Sequence, residues 1–355
     1  MRNIKLISIL SSKASRVHGA SMLHSMHPGN FAVVMSSGIV SIGFKLLGYF
    51  ILAKLLYLFS IITWCVLVVL SAVRLVVFPL VVWKDLLNPR LVFSYFTFVA
   101  ATDIVGLLFR ENNLMALSWL CWMIAFVVWC LLLYFAFSVL TFVSHEHNVN
   151  IVHGGWLITI VGTHSLVLLG ARVAVDLGVW ADYMLTEIHM LWGLGLVFYG
   201  IFVTLFCYRI FFLTLHPKDT SPLFGVIMGA SAISANAGIS LLESKPSLTY
   251  LVEQHPFVNG VTMICWAWAT WWIPMLIIFA VWKHFIKKMP VLYEPVLWSF
   301  VFPLGMYAVS SARLGASANF PPFEIISHLM IWVAWFVWVS VLLAMLNSFR
   351  EKLIR

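Results

Sequence analysis

The fourth apolar segment of the chain reads LMALSWLCWMIAFVVWCLLLYFAFSVLT, residues 114–141, and it decides the class of fold. It contains no charged residue and exceeds the ~20 residues that an α-helix needs to cross a bilayer. Across the chain, hydrophobic residues make up 63% and charged residues 10%, against ~45–50% and ~25% in soluble domains. A water-soluble fold would need more surface charge, so we predict an all-α integral membrane protein.

Breaks in hydrophobicity divide the chain into ten predicted membrane spans. The spans cover residues 28–44, 55–79, 91–109, 114–141, 155–171, 184–213, 222–242, 257–282, 295–312 and 322–346. This pattern predicts a basic tail at 1–27, a single ten-helix transmembrane domain at 28–346 and a second tail at 347–355. No large soluble domain fits into the remainder.

The distribution of lysine and arginine predicts the orientation. With the N-terminus inside, the inner segments hold 14 of these residues and the outer segments hold 6. Basic residues accumulate in cytoplasmic loops, so we expect both termini in the cytoplasm and the chain in the plasma (inner) membrane. The net charge of +8 then has a topological cause. Because no basic run with interleaved aromatics lies outside the spans, we expect no nucleic-acid partner.

Tryptophan and glycine divide the spans into two populations. Of the 17 tryptophans, 13 fall in even-numbered spans, whereas glycine prefers the odd-numbered ones. Small residues let helix backbones approach closely, and bulky aromatics suit lipid and interfacial contact. The pattern predicts five helical hairpins, with an inner ring of odd helices around a central pore and an outer ring of even helices. Close packing of glycine-rich helices without a pore would explain the same composition.

Three motifs resemble those of a known family. Residues 27–41 read HPGNFAVVMSSGIVS, residues 266–274 read WAWATWWIP, and residues 298–309 read WSFVFPLGMYAV. In this order and in these spans, they are similar to the signatures of the tellurite-resistance/dicarboxylate transporter family. That family includes bacterial tellurite-resistance proteins, fungal malic acid transport and sulfite export proteins, and plant slow anion channels.

The resemblance implies a channel or carrier for small anions, and not an enzyme. The expected substrates are a malate-like C4-dicarboxylate or an oxyanion such as sulfite or tellurite, and the expected assembly is a homotrimer in the lipid bilayer. In the family a phenylalanine on the ninth helix occludes the pore, and Phe302 best matches that position. Phe300 is the alternative if the helix is rotated, and core packing is the other role open to Phe302. Pro303 and Gly305 permit a kink beside it.

Basic residues follow every odd-numbered span on the predicted outer side. They are Lys45, Arg110, Arg172, Lys245 and Arg313. One interpretation is a basic vestibule that concentrates anions at the outer mouth. The other is that each cation neutralises a helix C-terminus or reaches the lipid headgroups. Three nearby carboxylates would weaken the field of the vestibule: Glu111, Asp176 and Glu243.

Polar and small residues within the odd spans are candidates to line the pore. We assign this role to Ser36, Ser37, Asp103, His164, Asn236 and Gly305. Neutral hydroxyl and amide donors can replace part of an anion's hydration shell. Asp103 has three possible roles: a structural acceptor, a proton site or a selectivity element. For His164, a proton site competes with a hydrogen-bonded core histidine, and the serines also suit helix packing.

A membrane-bound haem or metal oxidoreductase is the competing class of function. The chain has 12 histidines, but haem needs axial ligands that face each other across a bundle. Of these, only His164 is near mid-membrane. The loop residues His145, Glu146 and His147 form a weak metal signal. The five cysteines lie in apolar runs without a CxxC pair, so we expect no cofactor.

Overall fold

The computed structural model describes residues 22–143, 152–217 and 219–354. Within these ranges the chain forms helices and no strand. The ten long helices are α1 Ala32–Leu46, α2 Phe50–Val77, α3 Phe96–Glu111, α4 Met115–Ser138, α5 Ile158–Val173, α6 Ala181–Phe212, α7 Gly225–Glu243, α8 His255–Val281, α9 Trp298–Ala318 and α10 Pro321–Ile354. Two short helices, Pro79–Leu86 and Thr249–Glu253, lie in the connections after α2 and α7.

The apolar helices confirm the all-α membrane fold. Nine stretches of the described residues are long and apolar enough to cross a bilayer. One of them, Gly154–Phe212, is 59 residues long. It is broken at Gly178, whose φ of 54° and ψ of −118° are not helical. Because this break separates α5 from α6, ten helices result.

Each inner helix begins with a 3₁₀ turn. The turns are Pro28–Phe31, Val92–Tyr95, Gly154–Leu157, Pro222–Phe224 and Pro295–Leu297. An α-helix of 15 or 16 residues, such as α1, α3 or α5, extends only ~23 Å. A turn of four residues adds ~8 Å, so the inner helices reach the ~30 Å thickness of the hydrocarbon core.

Burial separates the ten helices into two layers. In the stretches that contain α1, α3 and α7, 83%, 83% and 94% of an 18-residue window is buried, against 17% in α2 and 28% in α4. Nearly every residue of α5 is buried as well. Odd helices therefore form the interior, and even helices cover them, as the tryptophan and glycine distribution predicts.

The odd helices form a closed ring. Each packs against the next along the chain, and α9 packs against α1. Each even helix contacts its hairpin partner and the following odd helix, so it lies in the groove between two inner helices. Glycines allow the closure on both sides of α9: a Cβ at Gly229 would lie 2.7 Å from Cγ of Pro303, and one at Gly305 would lie 2.9 Å from Cγ2 of Ile39.

Candidate functional site

One end of the ring carries a small cavity that we call the C-end mouth. It has a volume of about 40 Å³ and lies where the five inner helices end. Because all five inner helices contribute to it, it lies on the axis of the ring. The lining residues are Ile39, Ile42, Leu107, Glu111, Leu168, Arg172, Asn236, Ser240 and Arg313.

The opposite end of the ring carries a larger cavity of about 780 Å³, which we call the N-end cavity. Segments at the starts of all five inner helices line it, together with residues from the end of α6 and the connection after it. It is therefore on the same axis as the C-end mouth. The lining residues are His27, Arg90, Leu91, Ser94, His153, Arg209, Leu213, Thr214, His216, Asp219, Ser221, Leu223, Glu294 and Val296.

Phe302 lies on α9 between the two cavities. It comes 11 residues before Arg313, which corresponds to three helical turns plus ~20°. The two residues therefore lie ~16 Å apart along the helix axis. Phe302 therefore shares the helix face of Arg313, which lines the C-end mouth. The opposite face of α9 packs on α8, where Trp266 stacks on Tyr307 and donates a hydrogen bond to Ser311. Phe302 is 1% exposed and lines neither cavity.

Phe300 points in a different direction. It packs on α7, where a Cβ at Gly225 would lie 2.5 Å from Cδ2 of Phe300. With Leu276 and Phe279 of α8, it lines a separate cavity of about 210 Å³. The rotation of α9 thus turns Phe300 towards the outer layer, whereas Phe302 lies on the face of Arg313.

Arg313 is the less exposed of the two arginines that line the C-end mouth, with 10% of its side chain exposed against 52% for Arg172. Its Nη1 donates to the carbonyl oxygen of Asn236 at 3.2 Å and to the Oδ1 of that residue. Its Nη2 donates to Ser240 at 3.0 Å and to Glu243 Oε2 at 2.7 Å, and its Nε donates to Glu243 Oε1 at 3.3 Å. A guanidinium has five N–H donors, and all five are engaged. Arg313 thus contributes charge to the mouth but no free donor.

The other predicted outer cations lie at the same end of the ring, but most of them are paired. Lys45 lies 3.0 Å from Glu111, and Arg110 pairs with Asp176. Arg172 lies 3.5 Å from the same Glu243 that binds Arg313. Lys245 lines a neighbouring cavity of about 440 Å³ together with Arg172.

These positions refine the idea of a basic vestibule. Of the five predicted cations, Arg172 and Arg313 line the C-end mouth, whereas Lys45, Arg110 and Lys245 do not. The carboxylates cancel much of the positive field, because each lies within ion-pair distance of at least one cation. The geometry therefore favours local charge neutralisation over a strongly basic mouth.

Two predicted pore-lining residues lie between helices, turned away from the axis. Ser37 donates to the carbonyl of Val33 at 2.7 Å and accepts from Trp338 of the outer helix α10 at 2.8 Å. The His164 Nε2 lies 3.1 Å from the Trp192 carbonyl of α6, and its Nδ1 lies 2.9 Å from Ser234 of α7. Partners in the outer layer correct the expectation that these two side chains face the pore.

Two more of the predicted lining residues lie at the contact between the inner helices α1 and α9. Ser36 donates to the Trp298 carbonyl at 2.6 Å and so joins α1 to the start of α9. Gly305 lies where α9 crosses α1, and a side chain there would meet Ile39 and Val40. These residues serve the close approach of inner helices.

Asp103 and Asn236 lie nearer to the axis. Asp103 precedes the mouth residue Leu107 by one turn on α3, is fully buried and accepts from Ser165 of α5 at 2.6 Å. Its Oδ1 has no hydrogen-bond partner among the described residues. Asn236 lines the C-end mouth, where it accepts from Arg313.

Histidines that the sequence reasoning passed over begin two of the inner helices. Nδ1 of His27 accepts from the N–H of Gly29 at 2.9 Å, and Nδ1 of His153 accepts from the N–H of Gly155 at 3.0 Å. The signal that could have found them is a His-x-Gly pattern before both the first and the fifth span. In both, Nδ1 is the acceptor, so a neutral ring carries its proton on Nε2.

Both of these histidines lie outside the spans, and burial keeps them neutral. It lowers the pKa of His27, and the charge of Arg74 lowers it further against the opposing effect of Asp85. The pKa of His153 is lowered to about 4, chiefly by burial and then by the charges of Arg209 and Arg90. At pH 7 both imidazoles are therefore neutral and carry their proton on Nε2.

The competing oxidoreductase finds little support in the positions of the histidines. His164 has neighbours at both ring nitrogens, the Trp192 carbonyl and the Ser234 hydroxyl. Within 22–143, 152–217 and 219–354, no group of three or more His, Cys, Asp or Glu side chains could hold a metal ion. The residues of the weak metal signal, His145, Glu146 and His147, lie outside the described ranges.

Comparisons with known proteins agree with this architecture. The model of a family described as voltage-dependent anion channel (SLAC1) matches residues 25–346. An uncharacterized transporter of Methanocaldococcus jannaschii is 25% identical over 341 residues, which cover 91% of this chain and 96% of that protein.

Two further relatives match to different extents. A sulfite efflux pump of Arthroderma benhamiae is 22% identical over 365 residues, covering 94% of this chain and 93% of its own. An uncharacterized membrane protein of Mycobacterium tuberculosis is 40% identical over 139 residues, which are 39% of this chain and 70% of that protein. The full-length matches thus extend over the whole helical ring.

Proposed function

The chain belongs to the voltage-dependent anion channel (SLAC1) family, whose members are anion channels and transporters, and from that premise we propose that the axis of the five-helix ring is its conduction path. The observation that carries the proposal is the pair of cavities at opposite ends of the ring. All five inner helices contribute to each of them. Phe302 lies between them on the inner face of α9 and acts as the gate.

Neutral and cationic groups along this path favour anions. Cation pathways usually carry rings of acidic side chains. On this axis, Arg313 and Arg172 line one end, Arg90 and Arg209 line the other, and Asp103 is the one carboxylate deep within a described inner helix. An anion that crosses the ring would therefore meet guanidinium groups at both ends, each partly neutralised by nearby carboxylates.

The proposed substrates are small oxyanions and C4-dicarboxylates of the malate type. A relative that covers most of the chain bears the name of a sulfite efflux pump, which supports an oxyanion. Planar guanidinium groups bind carboxylates and oxyanions through two parallel hydrogen bonds, and both ends of the axis carry such groups. We propose further that the protein is a homotrimer in the plasma membrane, with both termini and the N-end cavity on the cytoplasmic side.

Uptake into sealed vesicles of defined lipid tests the proposed function. The purified protein is reconstituted, and the uptake of sulfite, malate and chloride is compared, each with and without an imposed pH gradient. We expect uptake of at least one of these anions above that of protein-free vesicles. Acceleration by the pH gradient would indicate a proton-coupled carrier, and its absence would indicate passive conduction. Uptake equal to that of protein-free vesicles for every anion would refute the proposal.

A further inference from the structure

Arg209, at the end of α6, has unused hydrogen-bonding capacity in the N-end cavity. Its side chain is only 13% exposed. Its Nη1 donates to the Val152 carbonyl at 2.5 Å, and its Nη2 lies 3.7 Å from Asp219, which is longer than a hydrogen bond. The remaining N–H groups of this guanidinium have no protein acceptor among the described residues. A nearly buried cation with idle donors carries a desolvation cost that a bound acceptor would remove.

The two ends of the ring differ in this respect. At the C-end mouth, protein acceptors engage every N–H of Arg313. At the N-end cavity, Arg209 offers donors to the cavity that it lines. An anion can therefore be bound directly by Arg209 at the N-end cavity, whereas Arg313 at the C-end mouth would first have to release Glu243 or Asn236.

His153, which lines the same cavity, carries a second idle donor. Its Nδ1 is occupied by the N–H of Gly155, so the proton of the neutral ring resides on Nε2. That Nε2 is buried and has no hydrogen-bond partner in the described part of the chain. His153 follows Val152, to whose carbonyl Arg209 is bound. The two idle donors are thus held together through one short segment of backbone.

The other charges of the cavity define what it would bind. Arg90 lines the cavity with Arg209, and Asp219 and Glu294 line it as well. The formal charges of these four side chains cancel, so the unsatisfied groups decide the preference. Of these groups, the two nearly buried ones, Arg209 and His153, are N–H donors, and a guanidinium cannot give up its charge. They suit an oxygen-rich anion, whereas the exposed carboxylate of Glu294 is the acceptor open to a cation.

We propose that the N-end cavity is a binding site for a small oxyanion or carboxylate, held by the guanidinium of Arg209 and the Nε2–H of His153. The volume of about 780 Å³ is within the range of small-molecule sites and leaves room for water around the anion. The idea that anions enter the pore from this site rests on the proposed function, whereas the binding of an anion here does not. Its preference follows from geometry, because planar and tetrahedral oxyanions accept two parallel hydrogen bonds and chloride does not.

Equilibrium binding to the full-length protein in detergent tests the site without requiring transport. Calorimetric titrations use sulfite, malate and chloride as probes at constant ionic strength. We expect sulfite or malate to bind more tightly than chloride, and Arg209→Gln to weaken that binding by about tenfold or more, since a hydrogen bond to a charged group is lost. Arg209→Lys, which keeps the charge but not the planar fork, should fall between the two.

A second variant isolates the donor of His153. Asparagine is a good cap at the start of a helix, so His153→Asn keeps an acceptor for the N–H of Gly155 while it removes the Nε2–H group. We expect it to weaken binding severalfold without lowering the melting temperature. Lys84→Gln is the matched control for the loss of one charge, because Lys84 is exposed outside the cavity. It should bind as the unmodified protein does.

The outcomes separate the site from the proposed function. Unchanged binding in folded Arg209→Gln and His153→Asn would overturn the site, as would binding of divalent cations in place of anions. If the unmodified protein binds sulfite or malate in detergent but shows no uptake in vesicles, the site stands and the proposed function fails. If uptake occurs and the Arg209 and His153 variants bind and transport as the unmodified protein does, the proposed function stands and the site fails.

Discussion

Replacement of Phe302 by alanine should increase anion flux through each folded molecule. The side chain is 1% exposed and lies ~16 Å below Arg313 on the inner face of α9, between cavities of about 40 and 780 Å³. Truncation to Cβ removes the aromatic ring from the barrier that separates them. Each ~1.4 kcal/mol taken from the barrier to permeation raises the rate tenfold. Hydration of a dewetted constriction should remove at least that much, so we expect a rise of about tenfold or more.

The opposite result follows if Phe302 is only a packing residue. Truncating a core phenylalanine costs about 3–5 kcal/mol in soluble proteins, and such a loss would lower the yield of folded protein without opening a path. Phe300→Ala is the matched control, because it makes the same chemical change two residues away on the side that faces α7 and α8. It should cost stability and leave flux per folded molecule unchanged.

The assay measures uptake of sulfite or malate in vesicles that contain equal amounts of folded protein, determined by size-exclusion chromatography after re-extraction. We expect Phe302→Ala to exceed the unmodified protein and Phe300→Ala to match it. Equal effects of the two substitutions would refute the assignment of Phe302 as the gate. So would a flux in Phe302→Ala that falls in proportion to the amount of folded protein.

Three further predictions concern the mouth, the pH response and the topology. Glu243→Gln keeps the shape of the carboxylate but removes the counter-charge that Arg172 and Arg313 share, so anion uptake should rise severalfold at low ionic strength. The increase should disappear at high salt, where the Debye length falls to ~3 Å. An increase that salt does not reduce would contradict the electrostatic cause. The pKa of His153, lowered from 6.5 to about 4, means that the unfolded chain binds more protons than the folded one between those values. Protonation of His153 therefore lowers the free energy of unfolding as pH falls from ~6.5 to ~4. The melting temperature should decrease over that interval, and it should decrease less steeply in His153→Asn. The same dependence of melting temperature on pH in both proteins would show that His153 is not the group responsible. A reporter fused after Arg355 should be active only in its cytoplasmic form, and external activity would reverse the proposed orientation.

Several features of this protein were predictable from the sequence because lipid imposes them on any chain. A span must be long and apolar, so the ten segments could be recognised without a structure. The inner and outer layers were predictable for a related reason. Tryptophan is too large for the crossings that Gly229 and Gly305 make possible, so the composition of each span predicts the layer to which it belongs.

The direction of each side chain on an inner helix was not predictable in the same way. These helices are buried on all sides, so an apolar stripe does not mark a preferred face. Phe300 and Phe302 are equally apolar, and only the contact of α9 with α7, α8 and α1 shows which one faces the axis. Ser37 and His164 were placed on the axis by their polarity, but a polar group in a membrane needs only a partner, and the outer helices provide one.

The electrostatics of the two ends also depended on the tertiary structure. Arg172 and Arg313 share Glu243, and Arg110 meets Asp176, across separations of 66–71 residues in the chain. The N-end cavity assembles from segments at the starts of all five inner helices, which are far apart in the chain. The sequence by itself determined which segments lie in lipid and which pack inside, because burial of apolar surface depends on local composition. Only the closed ring decided which charges meet and which donors remain unused, because those properties depend on distances between residues far apart in the chain.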